Sequence, residues 1–312
     1  MGEQGSPTQA KTFVSKIFSE VLRESSSGGT SAAHTFSRNE IVEVKDVIDS
    51  TMDLFIKGPD EGPRLKRYPY LSQHYRPAKG YWTVMTGVPT HGKSAVLDNI
   101  MVALAKEHGW YFIVWSPENE PVEEYLINLV KIWTGTSKPE PMLVQQALCE
   151  LHKHFLLLRP DDHHRNINCL IELARRRHKE RDGKVDGFVI DPWAELEGSR
   201  AHYQTETEFI SECLGKIRVF SRECNVHSWL VAHPVKMQRS EDHSIVTKPT
   251  LYSISGSAHF RNRCDFGLVV YRDIYKNGAT EVIISKVRHR NRGRMGTVQL
   301  IYDTGTGQFR PA

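Results

Sequence analysis

Apolar residues along most of this chain follow two alternating spacings. From Tyr81 onward, short apolar runs are separated by longer stretches with helical periodicity. YWTVMTG, WYFIVW, HFLLL, GFVID and HSWLVA predict strands, and Ser94–His108, Val122–Trp133, Asn166–Arg177 and Glu206–Cys224 predict the helices between them. Strand–helix alternation of this kind implies an α/β fold with a mainly parallel central sheet flanked by helices on both faces. FGLVVYR, TEVIISKV and GTVQLIYD follow with little room for helices and predict an antiparallel extension at the C-terminal end.

Upstream of this region the pattern changes. Ile41, Val42, Val47, Ile48, Met52, Leu54, Phe55 and Ile56 predict a helix over 41–57, and the GPDEGP that follows stops it. KTFVSKIFSEVLRE carries a further apolar stripe, and SSSGGTSAAHT reads as a flexible linker. The expected organisation is a tail over 1–38 with one amphipathic helix, a linker helix and connector over 39–79, and an α/β domain over 80–312.

Composition narrows the function classes. The chain has 312 residues, 39% of them hydrophobic and 25% charged, which is enough to bury a core. Its five cysteines are scattered, with no CxxC pair, so neither a disulfide framework nor a zinc site is expected. No apolar run approaches the ~20 residues that span a bilayer, and a cytoplasmic location is expected, in a bacterial or phage-infected cell or else in an organelle. Gly2 and Ser6 fit the short myristoylation pattern, which is permissive enough to match by chance. A net charge of +4 argues neither for nor against nucleic acid, so local clusters must carry that question.

The most specific chemistry lies at Gly87-Val88-Pro89-Thr90-His91-Gly92-Lys93-Ser94, a complete G-x-x-x-x-G-K-[ST] between a predicted strand and a predicted helix. Backbone N–H groups of such a loop, followed here by Ala95 at the start of the helix, cradle phosphate, and the helix dipole adds to the attraction. Lys93 is expected to reach the β- and γ-phosphates of ATP, and Ser94 to bind Mg²⁺. Thr90 and His91 are larger than the residues usual in the variable part of the loop. GFVID ends in Asp191, an acid at the ligand-binding edge of a parallel sheet, suited to the same metal. Glu118, just past WYFIVW, is the expected general base, with Glu120, Glu123 and Glu124 as competitors. His233, at the end of HSWLVA, is placed to donate to the γ-phosphate.

Taken in order, VMTGVPTHGKSAVLDNIMVALA, WSPENEPVEE, GFVIDPWAELEGSR, TETEFISECLGKIRVFSRECNVHSWLVAHPVK and SISGSAHFRNRCDFGLVVYRD resemble the RecA-type motor domain of DnaB-like ring helicases. The likeness is nearest to phage primase-helicases and the mitochondrial helicase Twinkle, and it covers about residues 40–312. The resemblance implies ATP- and Mg²⁺-dependent movement on single-stranded DNA by a homo-oligomer, a hexameric ring. It makes Glu118 the catalytic glutamate, Asp191 the metal-site aspartate and His233 the γ-phosphate sensor. Arg272 becomes an arginine near the nucleotide interface, and Lys286 and Arg288 a pair that acts from the adjacent subunit. It also makes the 41–57 helix the linker that packs on a neighbour. Ala194 stands where close relatives often carry Asn. No primase or zinc-binding segment is expected within residues 1–38, so primase or polymerase would be a separate partner.

The segment 235–255 lacks periodicity and is long for a loop inside a compact domain. By resemblance it faces a central channel, with Lys236, Arg239 and Lys248 as candidate DNA phosphate contacts and Arg261 and Arg263 as further ones. A second channel loop is expected over 198–205. DDHHR has no third ligand at metal-site spacing and reads as a solvated loop. In SKVRHRNRGRMG, strand periodicity puts Lys286 and Arg288 on one face. Arg290, Arg292 and Arg294 fall in or beside the following turn and keep a nucleic-acid reading. Two other readings share the phosphate loop: a RecA-like recombinase or clock-type ATPase, and a nucleotide-dependent accessory or loader protein with little turnover.

Overall fold

A computed structural model describes residues 42–161, 164–196, 204–235, 248–256, 258–273 and 278–312. The chain divides into two compact units, one up to Asp60 and the other from Glu61 onward. In the first unit, helix α1 (Val44–Lys57) buries none of its residues. Its start is closed by a reciprocal pair, the Glu43 side chain accepting from the backbone of Asp46 and the Asp46 side chain from that of Glu43. Val44, Leu54, Phe55 and Ile56 are all exposed on it.

The second unit is built on one sheet. Among the described residues its strands are β1 (Trp82–Thr86), β2 (Phe112–Trp115), β3 (Phe155–Leu157), β4 (Gly187–Ile190), β5 (His227–Ala232), β6 (Phe266–Arg272), β7 (Thr280–Val287), β8 (Gly296–Tyr302) and β9 (Phe309–Pro311). Their spatial order is β3-β2-β4-β5-β1-β6-β7-β8-β9. From β3 through β6 every pairing is parallel, and from β6 through β9 every pairing is antiparallel. The mainly parallel sheet with an antiparallel C-terminal extension is thus the expected one, with β9 added beyond the expected strands.

Alternation along each strand divides the core. Met85, Phe112, Val114, Val189, Trp229 and Val231 pack on one face of the sheet, under helices α3 (Lys93–His108), α4 (Val122–Thr134) and α5 (Pro141–His154). Trp82, Val84, Ile113, Phe188, Ile190 and Leu230 pack on the other, under α6 (Ile167–Glu180) and α7 (Glu206–Glu223). Both faces are covered, which is why the strands read as unbroken apolar runs. Gly187 is a glycine for a steric reason: a Cβ there would stand 2.3 Å from the Phe112 ring.

The structure departs from the sequence reading in places. Helix α5 was not expected, because only Ala147 and Leu151 in it are buried and its apolar spacing is sparse. The short helix α2 (Pro69–His74) was not expected either. It lies in a stretch read as connector, yet Leu65, Tyr68, Leu71 and Tyr75 are core residues. The expected tail helix and the linker over 25–35 lie outside the described residues.

Candidate functional site

The carboxyl ends of β1, β2, β4, β5 and β6 share one edge of the sheet, and most of the expected site residues lie on it. The loop Gly87–Ser94 joins β1 to α3. Gly87 has φ of 152°, and a Cβ on it would lie 2.1 Å from the Val270 carbonyl oxygen, so only glycine lets the loop pass β6. Gly92, left-handed at φ 93°, turns the chain into α3. His91 is buried, and its Nδ1 accepts the Arg272 backbone N–H at 3.2 Å beside the Tyr271 ring. The two bulky loop residues thus have different fates: Thr90 is exposed, and His91 pins the loop to β6.

Lys93 is 6% exposed, and its ammonium donates to the Val88 carbonyl at 3.2 Å. Burial lowers its pKa, against the opposing charges of Asp191 and Glu118. Asp191 is held by its backbone N–H on the Trp115 carbonyl at 3.0 Å, and its carboxylate accepts from the Ser94 hydroxyl. Burial pushes this carboxyl up to about 6, although Ser94 and Lys93 pull it down. A hydroxyl and a buried carboxylate are hard oxygen donors that suit Mg²⁺, which completes its shell with water and substrate phosphate and needs no cage of protein ligands. Among the described residues no group of three or more His, Cys, Asp or Glu could hold a metal unaided.

The four candidate bases separate by geometry. Glu118 Oε1 lies 3.9 Å from His233 Nε2 and interacts electrostatically with Lys93. Glu120 pairs instead with Arg159. Glu123 and Glu124 lie in the first turn of α4, where the helix dipole favours acids. His233 is half-buried; burial, then Lys93, lowers its pKa, with Glu118 acting in the opposite sense. Its Nδ1 has no hydrogen-bond partner among the described residues. Directly after it, Pro234 bridges to Ile254, so the two ends of the 235–253 loop are fastened beside His233.

One residue of this neighbourhood went unread in the sequence. Asp98 follows Ser94 by one helical turn and accepts the Tyr125 hydroxyl at 2.9 Å. Burial pushes its carboxyl up to about 8, with the Asp191 charge adding to the effect. The bond ties the phosphate-loop helix to α4, the helix that follows Glu118. The i, i+4 spacing from Ser94 was the available signal.

Lys286 and Arg288 lie elsewhere. β7 runs antiparallel to β6, so its end, Val287, pairs with Phe266 at the start of β6, the edge opposite the phosphate loop. Lys286 donates to the Arg261 and Asn262 carbonyls at 2.6 and 3.1 Å. Arg288 reaches the Asn262 carbonyl at 3.1 Å and Asp265 Oδ1 at 3.2 Å. Both cations therefore sit on the carbonyl end of helix α8 (His259–Arg263), on one face as expected. A bulge in the β6–β7 ladder between Gly267 and Leu268 shifts the register just before Lys286.

The basic candidates for DNA contact are divided. Lys248 pairs with Glu281 at 2.6 Å and sits over the Tyr271 ring. Arg261 stacks on Tyr252 at 4.3 Å, and Arg263 donates to the Ser211 carbonyl at 2.7 Å. Lys236, Arg239, residues 198–203 of the second loop, and two residues of DDHHR lie outside the described residues. Arg292 corrects the nucleic-acid reading of its turn: it is 8% exposed and packed over the Tyr81 ring at 4.9 Å, a structural position. Arg290 and Arg294 are exposed.

Residues 78–311 match the family described as DnaB-like helicase C terminal domain. Over 257 residues the chain is 34% identical to the "Twinkle homolog protein, chloroplastic/mitochondrial" of Arabidopsis thaliana, covering 77% of this chain and 35% of that protein. It is 21% identical over 243 residues to a "Probable replicative DNA helicase" of Trieres chinensis, covering 72% of this chain and 52% of that protein. The chain thus spans between about a third and a half of the length of these curated relatives. A solved DnaB-like replicative helicase, described together with its interactions with primase, superposes with a TM-score of 0.67 at 16% identity, over 95% of this chain and 71% of that one. At that identity the likeness establishes the fold.

Proposed function

Because the chain belongs to the DnaB-like helicase C-terminal domain family, we propose that it is the ATP-driven motor of a replicative DNA helicase, working at the subunit interfaces of a hexameric ring on single-stranded DNA. The family carries DNA helicase and ATPase activity; the ring, the interface site and the translocation are the proposal.

One observation carries the interface reading. Gly87 passes under Val270, whereas Arg288 bonds through its backbone to Asp265, at the other end of β6. That stretch of strand spans about 15 Å at a strand's rise per residue. Lys286 and Arg288 therefore stand too far from their own phosphate loop to touch its nucleotide, and a neighbouring copy's nucleotide is the phosphate they suit. A trans arginine of this kind is worth ~10³–10⁵ in rate. The exposed apolar residues of α1 support its reading as a linker helix that packs on another copy.

In the proposed mechanism the loop amides and Lys93 hold the β- and γ-phosphates of ATP. Ser94 and Asp191 would hold Mg²⁺, which when bound would supply positive charge against that developing on the phosphates. Glu118 polarises the attacking water, and its proximity to His233 lets the imidazole register the presence of the γ-phosphate. Arg272, whose backbone is tied to His91, stands beside the same loop. A separate primase is the proposed partner, and an organelle is as suitable an address as the cytoplasm. Among the described residues no helix is long and apolar enough to cross a membrane.

The test is hydrolysis and forked-DNA unwinding by the purified chain with ATP and Mg²⁺, with native mass measured on the same sample. Hydrolysis stimulated by single-stranded DNA, abolished by Lys93→Ala, is the expected result. Absence of any stimulation, together with an unaffected Lys93→Ala variant, refutes the motor.

A further inference from the structure

Along one side of α7, Ser211, Gly215, Arg218 and Arg222 recur at i, i+4, i+7 and i+11, a single helical face. Arg263 closes on the first of these, with its Nη1 2.7 Å from the Ser211 carbonyl, and lies beside Gly215. Arg218 interacts electrostatically with Arg222, Arg288 and Arg263, and the acid among its interacting neighbours is Asp265. Lys286 interacts with the same Arg288 and Asp265.

The members of this cluster differ in what already holds them. Arg263, Lys286 and Arg288 are tied to backbone carbonyls, and Arg288 also to Asp265. Asp265 is 3% exposed and divides its carboxylate between Arg288 and the Trp82 backbone N–H at 3.2 Å. The other acids of this part of α7 are engaged elsewhere, Glu212 by Lys216 and Glu223 by Arg175. Arg218 and Arg222 have no hydrogen-bond or ion-pair partner among the described residues, and the Arg218 Nε is out of reach of water. Grouped guanidiniums repel one another, and a guanidinium fork matches phosphate oxygens in paired hydrogen bonds. Two unengaged forks beside a fixed Arg288 are suited to a polyanion.

We propose that Arg218 and Arg222, together with Arg288, form a polyphosphate-binding site on the sheet edge opposite the phosphate loop, and that its occupant is the triphosphate of a nucleotide held by an adjacent copy of this chain. The assignment of that occupant rests on the interface reading above; the phosphate chemistry rests on the cluster. Arg288 meets the transferred phosphoryl group, and the α7 pair holds the flanking phosphate oxygens and draws the two copies into register.

Inorganic tripolyphosphate is the probe. Its binding is measured by calorimetry on the full chain carrying Lys93→Ala, so that the chain's own loop contributes little. The same measurement follows on that background with Arg218→Gln and Arg222→Gln, and with Arg218→Lys and Arg222→Lys, all three matched for thermal midpoint. The glutamine pair is expected to weaken binding at least tenfold, with partial retention in the lysine pair. Equal affinity in the glutamine pair overturns the site. A parallel titration with a single-stranded oligonucleotide separates the two sources of phosphate. If the glutamine pair lowers only oligonucleotide affinity, the site belongs to nucleic acid and the nucleotide assignment is wrong. A chain that never hydrolyses ATP yet shows the tripolyphosphate loss refutes the motor reading and leaves this site standing.

Discussion

His233 Nε2 stands 3.9 Å from Glu118 Oε1, across the ends of β5 and β2. The residue proposed to sense the γ-phosphate and the residue proposed to activate water are thereby within reach of each other. Glu120, two residues further on, is paired with Arg159 instead.

Glu118→Gln is expected to lower DNA-stimulated hydrolysis by about 10²–10⁴-fold, the range for loss of a general base, with nucleotide affinity preserved. Glu120→Gln should change the rate only a few-fold. Steady-state rates and nucleotide binding, measured on both variants, decide it; equal losses would exclude Glu118 as the base.

Arg288→Ala is expected to abolish hydrolysis while its own phosphate loop still binds nucleotide. Mixed with Lys93→Ala subunits, it should recover part of the activity, since each variant supplies what the other lacks. Wild-type turnover by Arg288→Ala assemblies alone would remove the trans role.

Gly87→Ala forces a side chain into the Val270 carbonyl, at a φ that disfavours any Cβ. A loss of about 1–3 kcal/mol is expected from such backbone strain, together with weakened nucleotide binding. Denaturant unfolding measures the first and fluorescent-nucleotide titration the second. A variant as stable as wild type would show that β6 yields at this point.

Asp98 gives a pH-dependent prediction. Its folded carboxyl is pushed up to about 8, above the ordinary value of 3.8. The folded state therefore binds a proton that the unfolded state has released, and stability falls as pH rises from about 4 to about 8. Asp191 acts in the same sense only up to about 6. The difference in unfolding free energy between wild type and Asp98→Asn, without nucleotide or metal, should thus keep changing between pH 6 and 8. A constant difference across that window would place the Asp98 pKa near its ordinary value.

Arg292→Ala should cost about 0.5–2 kcal/mol through the lost contact with Tyr81, whereas Arg290→Ala, exposed in the same turn, should leave stability within ~0.5 kcal/mol. Parallel urea titrations compare the two. Equal effects would contradict the buried placement of Arg292.

Much of this was legible in the sequence because it depends on local periodicity. Unbroken apolar runs such as FIVW and GFVI are strands covered on both faces, and a glycine-rich turn between strand and helix has few uses other than phosphate. The same locality explains the failures. Helix α5 buries too little for its spacing to stand out, and α2 begins on a proline in a stretch whose core residues are spread among charges. Asp98 reads as an ordinary polar helix residue until Tyr125 is set against it. The basic stretch 286–294 has one spacing, but its members meet different surroundings. Lys286 and Arg288 sit on the end of a short helix, Arg292 lies against Tyr81, and Arg290 and Arg294 face solvent. Spacing along a chain specifies which residues share a face. What that face meets depends on strand order and direction: an antiparallel β7 carries two cations to the far edge of the sheet, where Arg218 and Arg222 of a distant helix join them.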